Sequence, residues 1–104
     1  MMIMGVVRMS SSYLIANVDF GNADQAAAYG RQVPQTVAKY GGRYLVRGGA
    51  AEVVEGAWRP TYMVVLEFPS TERARAWYSS ADYASLRAVR QVSAQSDFMF
   101  VEGV

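Results

Sequence analysis

Arg47 and Glu67 are the two residues of this chain whose types and placement could do chemistry together. Read as strand residues, they fall on the same face of neighbouring strands. A guanidinium there could anchor an anion. A carboxylate shifted by burial and a charged neighbour could act as a general acid or base. The same pair could instead be a cross-strand ion pair, or part of a set of inter-subunit hydrogen bonds, because a buried Arg needs a carboxylate in either role. Asn17, on the same inferred face, could orient a bound group. Asp97 is a strand-end charge and a lesser candidate for acid–base work.

Aromatic residues form a second group. Trp77, Tyr78 and Tyr83 cluster around a break in a helical region and could wall a ligand pocket, or simply fill core. Arg87 and Arg90, three apart on a helix, share a side and could reach a ligand carboxylate or lie on a solvated face. The Gly41-Gly42 and Gly48-Gly49 pairs lack the spacing of a dinucleotide or phosphate loop and read as turns.

Absences narrow the chemistry further. With no Cys there is no thiolate nucleophile, disulfide framework or Cys zinc site, and with no His the commonest general base and metal ligand is missing. Neither a metal nor a cofactor is expected. Nine of the ten basic residues are Arg, and Lys39 is the sole Lys. Arginine forks suit carboxylates, although genome composition also produces such a bias. A net charge of +1 with interspersed signs offers no polyanion footprint, so neither nucleic acid nor an anionic membrane is expected as a partner.

The 104 residues make one domain, and an apolar fraction of 52% against 18% charged describes an ordered globular chain. That apolar excess is more than a small monomer comfortably hides, which favours a homodimer with an apolar seam. Met1 to Ser12 contains an apolar run too short to span a bilayer, and Arg8 follows that run where a signal peptide would carry its charge first. The segment reads as a start-site extension, with the domain at 13–104 and a cytoplasmic location expected.

The elements that must position these residues follow from periodicity and punctuation. Tyr13 to Phe20 predicts a strand, and Asn22 or Asp24 can cap a helix through the Ala-rich stretch. Pro34 predicts a kink or break near Gln32–Val33, with a second helical piece to Lys39. Gly41 and Gly42 supply a left-handed stop. Arg43 to Gly48 is the second strand, Gly48-Gly49 a bulge or bend, Glu52 to Glu55 a continuing ribbon, and Glu55-Gly56 a hairpin turn. Thr61 to Phe68 is the third strand. Ser70 or Thr71 caps a helix to Tyr78, Asp82 caps a further piece to about Val92, and Phe98 to Glu102 closes the chain.

The order is β-α-β-β-α-β, a ferredoxin-like α+β fold with both helical regions on one face of an antiparallel sheet. Alternation puts Leu14, Ala16, Val18, Tyr44, Val46, Val64, Leu66, Phe68, Phe98 and Phe100 on the helix-covered face. The opposite face mixes Ile15, Leu45, Met63, Val65, Met99 and Val101 with Asn17, Arg47, Glu67 and Asp97. That mixture suits a cavity closed by a second subunit.

Five motifs in order carry a family resemblance: Lys39 through Gly49, Glu55-Gly56 with Trp58 and Pro60, Glu67 through Ser70, Ala76-Trp77-Tyr78 with Ser80 and Tyr83, and Val101 through Val104. Together, from about Tyr13 to Val104, they resemble the domain of unknown function 1330 family. The resemblance implies a dimeric α/β barrel in which two sheets face each other across a two-fold axis. It assigns no activity, and fold alone cannot choose one.

The combined expectation is a homodimer binding a small acidic or aromatic metabolite in a cleft on the barrel-facing side of the sheet. Arg47 is the expected anchor and Asn17 an orienting group. Trp77 and Tyr83 are the expected walls, and Arg90 a further ligand contact. Glu67, with Asp97 behind it, is the candidate acid–base group of a cofactor-free enzyme. The alternative is a non-catalytic stress-related or structural dimer.

Overall fold

A computed structural model describes residues 10–104 of the chain. Its elements run β1 (Ser12–Asp19), α1 (Ala23–Lys39), β2 (Arg43–Arg47), β3 (Met63–Phe68), α2 (Thr71–Tyr78), α3 (Ala81–Ser93) and β4 (Gln95–Glu102). The four strands form one antiparallel sheet in the order β2-β3-β1-β4, the ferredoxin-like arrangement expected. The start-site expectation for Met1 to Ser12 lies outside the described residues for positions 1–9. Ser12 itself is fully buried and opens β1.

Capping side chains set the helix starts. Asn22 accepts from the Gln25 amide, and Ser70 from the Arg73 amide. Ser80, rather than Asp82, caps α3 by accepting from the Tyr83 amide. Asp82 sits in the first turn, where it pairs with Lys39 at 3.0 Å and accepts from Tyr40. Gly41, at φ +79°, turns the chain out of α1. Gly42 passes so close to the core that a Cβ would stand 2.6 Å from the Phe68 ring.

Leu14, Ala16, Val18, Leu66 and Phe68 from the sheet meet Val33, Val37, Ala74, Trp77, Tyr83 and Leu86 from the helices in one core. The opposite face carries Ile15, Met63 and Val65 half-buried, with Leu45, Met99 and Val101 exposed. Among the described residues, no helix is long and apolar enough to cross a membrane.

Three local expectations are corrected. Glu52 to Glu55 form no ribbon: β2 ends at Arg47, and Gly48, at φ +68°, leads into an irregular segment that lasts until β3. β4 starts at Gln95, earlier than Phe98, because its pairing with β1 extends to Asp19↔Gln95. α1 runs unbroken across Pro34.

Candidate functional site

Register decides where Arg47 points. Tyr44 pairs with Leu66, Val46 with Val65 and Arg47 with Val64, so Leu45 is an extra residue, a β-bulge. One inserted residue shifts the alternation, and Arg47 comes to the same face as Tyr44. The expectation that Arg47 and Glu67 share the outer face is therefore corrected. Val46 and Leu45 take the outward positions, at 38% and 45% exposure, and Arg47 turns toward α1.

There its guanidinium carbon lies 4.9 Å from the centroid of the Tyr44 ring, and its Nη2 donates to the Gly30 carbonyl. Gly30 precedes Pro34 by four residues, so its carbonyl is the one whose helical N–H donor the proline lacks. Arg47 supplies that donor from another element. The missing bond is replaced, which is one physical reason that α1 continues where a break was expected.

The cavity beside Arg47 measures about 540 Å³ and lies between the first half of α1 and the ends of β1, β2 and β3. Val18, Phe20 and Val64 give it apolar walls, and Tyr29, Tyr44 and Tyr62 give it phenols. Burial pushes the Tyr44 phenol up to about 12, the nearby Arg47 charge opposing this. Tyr44 therefore stays protonated near neutral pH and presents a donor. Burial, then the neighbouring Tyr83, raise Tyr29 still further. Asp19 is the cavity's carboxylate, and its Oδ1 already accepts from the Gly21 amide at 3.0 Å.

The other candidates are dispersed. Glu67 stands on the outer face with both oxygens engaged, by Arg43 Nε at 2.8 Å and Tyr13 Oη at 3.0 Å. The hydrogen bonds from Arg43 and then Tyr13 hold its carboxyl below the usual range. Asn17 accepts from the Thr61 and Tyr62 amides and the Thr61 hydroxyl. It pins the segment that carries Thr61 and Tyr62 into the cavity wall, and so acts at one remove. Asp97 is exposed opposite Asn17 on β4.

Trp77 and Tyr83 are core residues, 1% and 0% exposed, stacked with ring centroids 4.2 Å apart. Neither lines the cavity. Trp77 Nε1 donates to Thr36 Oγ1 at 2.9 Å. Arg90 is buried against Tyr83, Ser96 and Phe98.

Among the described residues, no group of three or more acidic residues is placed to hold a metal ion. Sequence reasoning missed Tyr29, Tyr44 and Tyr62 as cavity residues. The bulge or bend expected at Gly48-Gly49 is the signal that could have found them: the register shift falls earlier, between Tyr44 and Val46, and brings Tyr44 and Arg47 to one face.

The family model described as Domain of unknown function (DUF1330) matches residues 11–104. No curated protein matches the chain. Among solved structures, a protein of unknown function from Rhodopseudomonas palustris is 18% identical, with 93% of this chain and 85% of that chain covered at a TM-score of 0.73. A conserved protein of unknown function from Bacteroides thetaiotaomicron, described as a candidate oxidoreductase, is 16% identical, covering 91% and 99% at 0.63. A protein from Nitrosomonas europaea, provisionally described as an antibiotic biosynthesis monooxygenase, is 12% identical, covering 97% and 96% at 0.54. Likeness at these identities shows the ferredoxin-like fold.

Proposed function

The chain belongs to the DUF1330 family, whose description assigns no activity, and from that premise we propose that it binds a small carboxylate with an aromatic or apolar body in the cavity beside α1. The observation that carries this reading is the β-bulge at Leu45, which places the Arg47 cation at the wall of a phenol-lined cavity whose other charged residues are Arg31 and Asp19. An apolar pocket with a few convergent polar groups is the usual form of a small-molecule site. Arg47 spends one donor on Gly30, and a guanidinium has five in a fork that fits a carboxylate. The cavity lies on the helix side of the sheet, not on the barrel-facing side expected from the sequence.

The second part of the proposal is a homodimer joined through the outer sheet face. Ile15, Met63 and Val65 are only half-buried in one chain, with Leu45, Met99 and Val101 exposed beside them. A second copy would cover this face. Val65→Lys should convert a dimer of wild type into a monomer in sedimentation equilibrium. A monomeric wild type would remove this part.

A thermal-shift screen of small carboxylates and aromatic acids, run on wild type and Arg47→Ala, tests the binding reading. Ligand at about a hundred times its dissociation constant adds roughly 2.7 kcal/mol to the folded state. For a domain of this size that is a rise on the order of ten degrees. A hit lost in Arg47→Ala supports the reading. A flat screen, or a hit indifferent to the substitution, overturns it and favours the non-catalytic structural dimer.

A further inference from the structure

Arg90 is a buried charge that the carboxylate site does not use. It is 4% exposed, and among the described residues no carboxylate pairs with it. Its Nε donates to Tyr83 Oη at 3.2 Å, its Nη1 donates to Ser96 Oγ, and its guanidinium carbon lies 3.9 Å from the Phe98 ring centroid. Tyr83 Oη lies in turn 2.5 Å from Tyr29 Oη. Tyr29 forms part of the wall of the cavity that Arg47 and Tyr44 also line.

The direction of this chain follows from the donor inventory. A guanidinium has no acceptor to offer, so the Tyr83 oxygen must accept from Arg90. Tyr83 is completely buried, and its own proton needs an acceptor. Tyr29 Oη is the acceptor within reach among the described residues. Tyr83 therefore donates to Tyr29, and the Tyr29 proton is left for a third group. The buried cation polarises both phenols in the same sense, since hydrogen bonds in a chain reinforce one another at low dielectric.

We propose that Tyr29 is the second recognition point of the cavity, its donor direction set by Arg90 through Tyr83, and that the ligand is a carboxylate bearing a second oxygen acceptor, a hydroxy or oxo group, at the end away from the carboxylate. This rests on the carboxylate reading above. Arg90 and Tyr83 are positioning residues that touch no ligand. Tyr29 is the contact. A simple monocarboxylate would leave the Tyr29 hydroxyl facing an apolar group, which a site built to hydrogen-bond rejects.

Benzoate and 4-hydroxybenzoate are the probe pair, with affinities measured by calorimetry. Wild type should bind the hydroxy acid about tenfold more tightly, the worth of one net hydrogen bond. Tyr29→Phe should bring the ratio to about one, because the hydroxy acid loses its donor and benzoate no longer faces an unpaired hydroxyl. Arg47→Ala should weaken both acids alike. Equal affinities in wild type, or a ratio that survives Tyr29→Phe, overturn the proposal.

If neither acid binds wild type, the carboxylate reading and this ligand class fall together. The donor direction is decided separately on the ligand-free protein, by NMR of tyrosines labelled with 13C at Cζ in mixed light and heavy water. Slow hydroxyl exchange should split the Tyr83 signal and leave Tyr29 single. The reverse pattern overturns the direction assigned to the chain.

Discussion

Arg47 donates to the carbonyl of Gly30, the acceptor in α1 that Pro34 leaves without a backbone donor. One side chain thus repairs a helix and forms the cationic wall of the cavity. The two roles are separable, because the first needs a single N–H and the second the remaining fork.

A double-mutant cycle on stability should expose the first role. Arg47→Ala is expected to cost about 0.5–1.5 kcal/mol, the net worth of one hydrogen bond on a largely exposed side chain. In a Pro34→Ala background the helix supplies its own donor to Gly30, and the same substitution should cost close to nothing. Urea unfolding of the four proteins gives the coupling. Additive costs would assign Gly30 no share in the role of Arg47.

Removing the acceptor of Trp77 should be costly without moving the helices. Thr36→Val keeps the shape but leaves the indole N–H buried and unpaired, at about 1–3 kcal/mol. Thr36 Oγ1 also donates to the Val33 carbonyl at 2.7 Å, so a second partner loses its bond. Chemical unfolding followed by Trp fluorescence measures the loss.

Acid stability should depend on Glu67. Hydrogen bonds from Arg43 and Tyr13 lower its folded ionisation below the ordinary value of 4.5. The unfolded chain therefore takes up this proton first. The associated stability is present above that ordinary value and is lost as pH falls through the lowered one. Melting temperatures of Glu67→Gln and wild type, compared from pH 7 to pH 3, should converge at the acid end. Asp82, lowered by Lys39 and then Tyr40, adds a loss of the same sign, so the wild-type acid limb persists in part.

Gly48 should tolerate no side chain. Its φ of +68° is strained for any other residue, and a Cβ would stand 2.2 Å from the Tyr62 ring. Gly48→Ala should destabilise by about 1–3 kcal/mol and displace Tyr62 from the cavity wall. Chemical unfolding reads the first effect. Weaker binding of any acid found in the thermal screen reads the second.

Much of the fold was legible in the chain alone. Alternation in β1 and β3 predicts their buried sets, Leu14, Ala16 and Val18 against Val64, Leu66 and Phe68, because a pleated strand repeats every two residues whatever its neighbours do. Ser70 and Asn22 announce their helices because a cap acts within three residues. Gly41 marks the end of α1 for the same local reason. Element order and sheet type then follow, and they hold.

What the chain alone leaves open is whatever depends on a partner distant in sequence. Asn17, Trp77, Tyr83 and Arg90, ligand contacts as the sequence reads, are each bonded to another part of the protein. Their residue types report that a polar or aromatic group needs company, without reporting whose. Asp82 was expected to cap a helix, and Lys39, forty-three residues earlier, holds its carboxylate instead.

Residue by residue, then, the sequence determined the element order, the buried faces of β1 and β3 and the absence of thiol and imidazole chemistry, since these are properties of local backbone preference and composition. Only the tertiary structure decided the site. Whether Arg47 faced the outer sheet or the cavity turned on one bulged residue, Leu45, and a bulge is a property of two strands in register. Whether the Gly30 carbonyl that Pro34 leaves unpaired found a donor depended on Arg47 arriving from β2. Both outcomes required the chain to be folded before the residues concerned could meet.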